Sequence, residues 1–300
     1  MHSLYNNLPK IRGRYRLNAD LSKLCWLGVG GRAAVLFVPL DLEDLVYFLS
    51  NKSSDLPIFM LGAGSNILIR HSGFDGVVIR LGRAFNYVHH NSETLVAGGA
   101  TLDTSVAEYA MDNSIAGLEF LSGIPGTIGG ALTMNAGAYG REVKDVLVST
   151  KVVDIHGNIK ELSVDQMGYK YRESEVINHI FIEAAFSYSI GDKSRIQDEM
   201  LSIRHKREST QPIRARTAGS TFKNPDADMK AWQLIDQAGC RGFRVGGAVM
   251  SEKHCNFINL ESEATALDVE KLVFEVQMRV FEKSGVLLEP EIKILGQDVI

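Results

Sequence analysis

Cysteine is scarce in this chain, which rules out a small fold that depends on several disulfide bonds. The sequence has three cysteines in 300 residues, at Cys25, Cys240 and Cys255, and they are well separated with no Cys-x-x-Cys spacing. An odd number without ligand-like spacing predicts neither a disulfide framework nor a zinc site. We therefore expect free thiols of the kind that reducing compartments maintain, and no metal site.

Long apolar runs and a strong charge imbalance are also missing. No segment approaches the roughly 18 apolar residues of a membrane span. The N-terminal sequence MHSLYNNLPKIRGRYR is polar and basic, unlike a signal peptide. The formal net charge of -4 gives no global reason to bind nucleic acid or an anionic membrane. These absences predict a cytoplasmic protein that binds neither nucleic acid nor a membrane. Any phosphate site would have to be formed by a local group of residues.

The length and apolar content predict more than one compact unit. With 300 residues, 45% of them hydrophobic, the chain can bury two or three cores. Helical spacing behind Asp41, followed by the strand-like PIFML, indicates an α/β opening. Near Gly191 the sequence becomes charged and amphipathic, which is typical of a connecting helix. We predict a first region over 1–190, in lobes of about 1–80 and 81–190, and a C-terminal domain over 191–300.

Local patterns predict further elements. Valine-rich 146–154 reads as a strand, and the turn residues His156, Gly157 and Asn158 lead into a returning strand over 159–162. Helices are predicted over 229–238 and 265–284, each closed by a glycine. The segment LLEPEIKIL is predicted as the final strand, on which Glu289 and Glu291 would share one face.

Two short glycine motifs invite a nucleotide interpretation. The run from Gly28 to Ala33 matches G-x-G-x-x-A, but a β-like segment follows where a dinucleotide site needs a helix. Gly30 and Gly31 therefore predict a tight turn or a close backbone approach. The second motif, LGAGSN, follows a predicted strand, and its exposed N–H groups could form a pyrophosphate nest. A plain turn at the strand end would look the same.

The glycine-rich block over 117–140, GLEFLSGIPGTIGGALTMNAGAYG, is more specific. It offers many backbone and hydroxyl donors with little side-chain bulk, which suits close wrapping around a large polar cofactor. Interleaved Leu, Phe, Ile and Met side chains predict burial, unlike a flexible linker. We predict no regular element within the block. By themselves, YRES (with Arg172) and AGSTFKNP (with Lys223) also fit ordinary surface loops.

In combination these segments resemble the UDP-N-acetylenolpyruvoylglucosamine reductases (MurB), whose FAD-binding domain is of the vanillyl-alcohol oxidase (PCMH) type. The likeness is colinear from about Trp26 to Gly296, through VGGRA, LGAGSNILI, GFDGVVI, the glycine block, YRES, AGSTFKNP, LIDQAGCRGFRVGGA, SEKHCNF and LEPEIKILG. The resemblance implies an α+β fold, with the FAD-binding domain in two α/β lobes and a C-terminal α/β substrate domain. It further implies NADPH- and FAD-dependent reduction of UDP-N-acetylglucosamine enolpyruvate to UDP-N-acetylmuramate in peptidoglycan synthesis, with its links to cell shape and cell division.

The same resemblance implies roles for individual residues. Ser220 would be the proton donor, with Arg172 and Glu291 completing the catalytic group, and Lys223 and Asn224 would contact the substrate diphosphate. FAD would be held without a covalent bond, since the glycine block contains no histidine or cysteine. Its contacts would be Gly62, Ala63, Gly64, Ser65, Asn66, Gly123, Ile124, Pro125, Gly126, Thr127, Gly129, Gly130, Asn135, Gly137 and Tyr139.

Departures from the family pattern refine the expectation. Cys25-Trp26 stands where the family usually has threonine, and the residues after SEKHCNF lack the usual Val-Asn-x-Gly continuation. No long insertion with a substrate-clamping tyrosine separates Tyr188 from Gln211, as in the shorter class of these reductases. Closure on the substrate would then depend on Arg207, Arg214 or Arg216.

Two other functions fit the same fold. One is a flavin oxidase that acts on an alcohol or sugar, and the other is a non-catalytic nucleotide-sugar binding protein. The joint presence of Ser220, Arg172 and Glu291 favours the reductase. We expect a monomer, because no exposed apolar stripe stands out in the sequence.

Overall fold

The computed structural model describes residues 7–213, 215–226 and 228–297. Within them the chain mixes helices and strands, as predicted. The helices are α1 Leu42–Asn51, α2 Asp103–Asp112, α3 Ile128–Thr133, α4 Lys193–Thr210, α5 Ala231–Gln237 and α6 Ala266–Ser284. The strands are β1 Arg14–Asp20, β2 Arg32–Val38, β3 Ile58–Met60, β4 Ile67–Ile69, β5 Phe74–Ile79, β6 Val88–His90, β7 Thr94–Gly98, β8 Ile115–Ala116, β9 Gly137–Ala138, β10 Arg141–Glu142, β11 Leu147–Asp154, β12 Ile159–Ser163, β13 His179–Ser187, β14 Ser189–Ile190, β15 Arg244–Val245, β16 Ala248–Met250, β17 Ile258–Leu260 and β18 Lys293–Leu295.

The chain divides into two compact units that are not contiguous in sequence. The first contains the described residues up to Leu17, together with 34–63 and 76–205. The second contains 18–33, 64–75 and the described residues from Lys206 onward. Two N-terminal segments therefore group with the C-terminal part. The functional division at residue 191 remains a prediction.

The first unit is built around a five-stranded antiparallel sheet. Its order is β12-β11-β13-β7-β6, and β11 and β12 form the hairpin predicted around Gly157. One buried cluster, including Leu95, Phe120 and Phe186, packs beside this sheet. A second cluster, including Phe37 and Phe48, lies where strands of the four-stranded sheet β1-β2-β5-β3 meet α1.

The second unit packs helices α5 and α6 with a three-stranded antiparallel sheet, β15-β16-β17. Buried faces of both helices share one core cluster, which includes Leu234, Leu272 and Val276. Strand β18 pairs in parallel with β4, so that Lys293 is opposite Ile67. This pairing joins residues that are more than two hundred positions apart in sequence.

Several elements predicted from local patterns are confirmed. The side chain of Asp41 caps α1 by accepting a hydrogen bond from Asp44 N. Helix α6 begins at a capping box formed by Thr265 and Asp268 and ends at Gly285, which is left-handed with φ 72°. These are the residue types that start and stop helices in general.

Two predictions about local structure are wrong. The glycine block contains regular turns, namely a 3-10 turn over Glu119–Gly123 and helix α3, which Thr127 caps. The last strand is limited to Lys293–Leu295, so Glu289 and Glu291 do not lie on it. Instead, the segment before it bonds to the loop after Ser220, with Pro290 opposite Phe222 and Glu291 N donating to Thr221 O.

An exposed apolar stripe does exist, contrary to expectation. Leu267, Phe274 and Phe281 recur every seven residues on α6 and are 55%, 59% and 47% exposed.

Among the described residues, no helix is both long enough and apolar enough to cross a membrane. All three cysteines are buried with free thiols.

Candidate functional site

The start of the LGAGSN motif contacts the glycine block within the first unit. A Cβ placed on Gly62 would lie 2.7 Å from Thr127 Oγ1, so only glycine fits there without a shift. Thr127 Oγ1 also accepts a hydrogen bond from Gly130 N at 3.4 Å at the start of α3. Sequence reasoning predicted both segments, but their contact comes from the fold.

Close backbone packing explains other glycines of the block. Gly129 N donates to Gly99 O at 2.9 Å, and a Cβ on Gly129 would lie 3.0 Å from the same oxygen. A Cβ on Gly123 would lie 2.7 Å from Cε2 of Tyr139, whose own backbone is left-handed at φ 54°. Ile124, Pro125 and Gly126 connect these positions as an extended bend between the 3-10 turn and α3. These close contacts account for the glycines of the block, and the N–H groups of Gly129 and Gly130 bond within the protein. That the same residues hold FAD remains a prediction.

A buried ionisable residue, Asp103, lies against the glycine block. Asp103 begins α2, and its N–H donates to Gly126 O at 3.2 Å. Its carboxyl is fully buried, and neither oxygen has a hydrogen-bond partner within the described part of the chain. Burial alone raises the pKa of Asp103 well above its ordinary value. The carboxyl therefore favours its neutral form.

Asn135 organises the end of the glycine block. Its side chain is completely buried and donates to Glu142 Oε2 at 3.0 Å and to Lys170 O at 3.1 Å, while its Oδ1 accepts from Lys144 N at 3.0 Å. Both amide hydrogens are thus used inside the protein. Its predicted contact with a cofactor stays a prediction.

Arg172 lies against the same end of the block. Its Nη2 donates to Gly137 O at 2.9 Å, and its Nη1 is 3.7 Å from Glu142 Oε1. The guanidinium is also 4.9 Å from the ring centroid of Tyr171, and the backbone of Arg172 is left-handed at φ 58°. The fold therefore brings the YRES and glycine motifs together and surrounds the cation with a carbonyl, a carboxylate and an aromatic ring.

Ser220 and Glu291 lie on neighbouring segments of the second unit. Ser220 forms an isolated bridge with Phe257, and it follows Gly219, which is left-handed at φ 76°. The next carbonyl, Thr221 O, accepts from Glu291 N at 2.8 Å. Ser220 also lines a crevice with apolar neighbours such as Leu27 and Ile292. Two members of the predicted catalytic group are thus held by one ladder of backbone hydrogen bonds.

The second half of the LGAGSN motif contacts the Glu291 segment. Asn66 Nδ2 donates to Glu291 O at 3.2 Å, and Asn66 O accepts from Lys293 N at 3.1 Å. Gly64 is left-handed at φ 68°, and a Cβ there would lie 2.2 Å from Leu24 O. Ser65 and Ala63 flank this turn and are partly buried. Whether the motif also forms a pyrophosphate nest remains a prediction.

The predicted diphosphate residues already have protein partners. Lys223 Nζ lies 2.6 Å from Glu289 Oε1, and the two side chains are 12% and 68% exposed. Asn224 Oδ1 accepts from Ala231 N at 3.1 Å and so supports the start of α5. A ligand phosphate would compete with Glu289 for the lysine.

The three arginines considered for substrate closure differ in their surroundings. Arg207 Nε donates to Gln211 Oε1 at 3.3 Å near the end of α4. Arg214 lies outside the described residues. The guanidinium of Arg216 donates to Leu27 O, Gly28 O and Glu261 O at 3.0, 2.9 and 3.3 Å. These three carbonyl contacts favour a structural role for Arg216.

The first glycine motif is confirmed as a place of close backbone approach. A Cβ on Gly30 would lie 2.5 Å from Ile69 O, and one on Gly31 would lie 2.2 Å from His71 O. The chain then enters strand β2, so the strand–turn–helix context of a dinucleotide fingerprint does not occur.

Sequence reasoning missed two polar residues next to the candidate catalytic groups. Glu142 bridges Asn135 and Arg172. Asn256, in SEKHCNF, is 4% exposed and bonds to the backbone of Phe222. For Asn256 the sequence signal is a single amide residue between apolar neighbours. This pattern predicts a buried hydrogen bond but does not indicate the partner residue.

Comparison with known proteins agrees with this arrangement. The profile of the UDP-N-acetylenolpyruvoylglucosamine reductase C-terminal domain matches residues 211–295, and that of an FAD binding domain matches residues 33–163. UDP-N-acetylenolpyruvoylglucosamine reductase of Parvibaculum lavamentivorans is 50% identical over 295 residues, which cover 98% of this chain and 95% of the relative. The protein of that name from Rickettsia massiliae is 47% identical over 291 residues, covering 97% and 98%.

Solved structures extend the likeness to three dimensions. The Thermus caldophilus UDP-N-acetylenolpyruvylglucosamine reductase superposes with a TM-score of 0.83 at 32% identity, covering 96% of this chain and all of that one. The 6-hydroxy-D-nicotine oxidase of Arthrobacter nicotinovorans shares the fold alone, at a TM-score of 0.59 and 12% identity over 93% of this chain and 88% of that one. The identities over nearly the whole chain establish that this protein belongs to the UDP-N-acetylenolpyruvoylglucosamine reductase family, with an FAD-binding domain and a reductase C-terminal domain.

Proposed function

We propose that the protein reduces the enolpyruvyl ether of UDP-N-acetylglucosamine enolpyruvate to UDP-N-acetylmuramate, with NADPH as hydride donor and FAD as bound cofactor. The observation that carries the proposal is the hydrogen-bonded pairing of the Ser220 and Glu291 segments in a chain of this reductase family. The match of residues 33–163, which include both glycine segments, to an FAD binding domain supports the cofactor assignment.

The chemistry needs a hydride, a proton and stabilisation of negative charge. Bound FAD supplies hydride transfer between NADPH and the substrate. Addition of hydride to the vinyl ether leaves enolate-like charge on the adjoining carboxylate. Arg172 binds this carboxylate through its planar guanidinium, because charge-assisted hydrogen bonds are the stronger ones.

Ser220 delivers the proton to the resulting carbanionic carbon. A hydroxyl is a weak acid in water, but a strongly basic carbon accepts its proton when the two are held within hydrogen-bond reach. The left-handed turn at Gly219 and the apolar crevice beside Ser220 support that positioning. Glu291, as a neutral carboxyl, donates its O–H to the oxygen on which this charge develops and so shares a proton with it.

Substrate binding rests on cations and an amide near these groups. Lys223 and Asn224 contact the diphosphate. Arg207 or Arg214 closes on the bound substrate. Gly62 to Asn66, Gly123 to Thr127, Gly129, Gly130, Asn135, Gly137 and Tyr139 contact the cofactor. NADPH reacts first and leaves before the enolpyruvyl substrate binds, and intersecting double-reciprocal plots would contradict this order.

The proposal extends to the setting of the enzyme. It acts in the cytoplasm in peptidoglycan precursor synthesis, and through the cell wall it affects cell shape and division. It acts as a monomer, and the exposed apolar stripe on α6 is the surface that tests this part of the proposal. Sedimentation at micromolar concentration tests this point, and a dimer that dissociates on Phe274→Ser would assign the α6 stripe to self-association instead.

Anaerobic absorption spectroscopy tests the activity. NADPH should bleach a bound-flavin band, and UDP-N-acetylglucosamine enolpyruvate should restore it. Ser220→Ala should keep the bleaching and slow the recovery, whereas the control Ser284→Ala should change neither. Bleaching without recovery in the wild-type protein would remove the substrate assignment, and absence of any bindable flavin would overturn the cofactor assignment.

A further inference from the structure

The residues after Ser220 are held by a reciprocal amide contact. Asn256 Oδ1 accepts from Phe222 N at 3.0 Å, and Asn256 Nδ2 donates to Phe222 O at 2.9 Å. The backbone carbonyl of Asn256 also accepts from Thr221 N at 2.8 Å. One buried residue therefore binds three backbone groups of the loop, Thr221 N and both polar groups of Phe222.

The clamped residues, Thr221 and Phe222, connect the two candidate catalytic residues. Ser220 precedes the clamped pair and bridges to Phe257, the neighbour of Asn256. On its other side, Thr221 O accepts from Glu291 N at 2.8 Å. The clamp thus fixes the short strand-like piece from which Ser220 projects and to which the Glu291 segment is bonded.

The environment of Asn256 makes the contact stiff. Asn256 is 4% exposed and Phe222 is 1% exposed, so water cannot replace a lost hydrogen bond without local opening. Asn256 N further donates to His254 Nδ1 at 3.3 Å. Burial lowers the pKa of His254, which favours the neutral ring that can accept this bond.

We propose that Asn256 is a positioning residue for proton delivery, which sets the place of Ser220 relative to Glu291 by clamping Thr221 and Phe222. The inference rests on the proposed function, because it needs Ser220 to be the proton donor. It assigns to Asn256 no contact with substrate or cofactor. Its effect falls on reoxidation of the enzyme by the enolpyruvyl substrate, since reduction by NADPH needs no proton from Ser220.

The isosteric variant Asn256→Asp gives a sharp test. A neutral carboxyl can still donate to Phe222 O and accept from Phe222 N, whereas an ionised one repels the Phe222 carbonyl. Burial opposes ionisation, so the switch should occur above the ordinary aspartate pKa. Misplacement of a reacting group by about 1 Å can cost on the order of 10²-fold in rate.

Stopped-flow absorbance on the flavin-loaded enzyme measures each half-reaction from pH 5.5 to 8.5. Relative to wild type at each pH, N256D should be reoxidised within about threefold at the acid end and about 10 to 100-fold more slowly at the alkaline end. Its reduction by NADPH should match wild type throughout. Asn259→Ala is the matched control: its buried Oδ1 has no hydrogen-bond partner among the described residues, and the variant should behave as wild type.

Other outcomes separate the possibilities. Equal slowing of both half-reactions, or N256D reoxidation that follows wild type at every pH, would overturn the inference while leaving the proposed function intact. Wild-type enzyme that NADPH reduces but the enolpyruvyl substrate does not reoxidise would overturn both. If N256D does not fold, Asn256→Ser replaces it and should show an increased solvent deuterium isotope effect on reoxidation alone. An unchanged isotope effect in that variant would reject the inference.

Discussion

Lys223 Nζ lies 2.6 Å from Glu289 Oε1, with the lysine side chain nearly buried and the glutamate largely exposed. Lys223 is the cation that we propose for binding the substrate diphosphate. Glu289 holds this lysine in place, and it also competes with the diphosphate for it. Lys223→Met should therefore weaken UDP binding by about tenfold or more, because hydrogen bonds to charged groups are worth about 1.5 to 3 kcal/mol. Isothermal titration at low and moderate salt measures the change.

Glu289→Gln is the matched test of the competition. Removing its negative charge while keeping its size should leave UDP affinity equal or raise it by up to about fivefold, as expected of an exposed ion pair. The effect should shrink with added salt. A tenfold loss of affinity in this variant would instead mean that Glu289 is needed to orient the lysine.

The contact between Gly62 and Thr127 predicts a steric clash for any larger residue at position 62. Gly62→Ala would place a Cβ 2.7 Å from Thr127 Oγ1, closer than unstrained contact allows. We expect a lower melting temperature of the flavin-free protein and weaker FAD binding, by about tenfold. Gly130→Ala is the comparison for the stability of the flavin-free protein alone, since its Cβ would lie 3.6 Å from the same oxygen in α3. Alanine there should maintain or raise stability by up to about 1 kcal/mol. Normal stability and FAD affinity for Gly62→Ala would contradict the contact.

Arg172 should not tolerate lysine. Lysine keeps the charge but lacks the planar fork that can bind Gly137 O and a substrate carboxylate together. Arg172→Lys should slow reoxidation by the enolpyruvyl substrate about 10² to 10³-fold, the usual effect of losing one transition-state donor. Reduction by NADPH should be preserved. Arg141→Lys, on an exposed arginine that donates to Gly117 O, is the control and should leave both steps unchanged. Similar rates for Arg172→Lys and wild type would argue against the assigned role.

The buried carboxyl of Asp103 predicts how stability depends on pH. Because burial raises its pKa, the folded chain retains a proton that the unfolded chain releases above about pH 4. The stabilisation associated with neutral Asp103 is therefore complete at low pH and declines as pH rises toward the folded-state pKa, by up to about 1.4 kcal/mol per pH unit.

Asp103→Asn should remove that decline. Denaturant unfolding of wild type and variant at pH 5 and pH 8 should show a free-energy difference that moves in favour of the variant at the higher pH. The exposed residue Asp198 supplies the control, and Asp198→Asn should leave the pH dependence as in wild type. Parallel curves for wild type and Asp103→Asn would show that the carboxyl ionises freely.

Local sequence was sufficient for the helices with strong end signals. The caps at Asp41 and Thr265 and the glycine after α6 act within one turn of chain, so they can be recognised in a short window. Helix α3 was missed because its glycines have low helix propensity. Packing of Gly129 against Gly99, together with the Thr127 cap, stabilises it nonetheless.

The end of the chain shows the opposite case. The period-two pattern around Glu289 and Glu291 suggested a strand, but these residues instead bond to Lys223 and to the Thr221 backbone. The grouping of 18–33 and 64–75 with the C-terminal part has the same origin, since it depends on contacts such as the β4–β18 pairing. Such distant partners leave no mark on local periodicity.

The sequence by itself determined the family, the glycine positions that permit close backbone approach, and which residue types can carry charge or a proton. Only the tertiary structure decided that Asn256 clamps the loop after Ser220, that Glu142 and Gly137 hold Arg172, and that Asp103 is buried beneath the glycine block. The reason is physical: residue type and spacing encode backbone freedom and local hydrogen bonds, whereas burial and long-range partners exist only after the chain has folded.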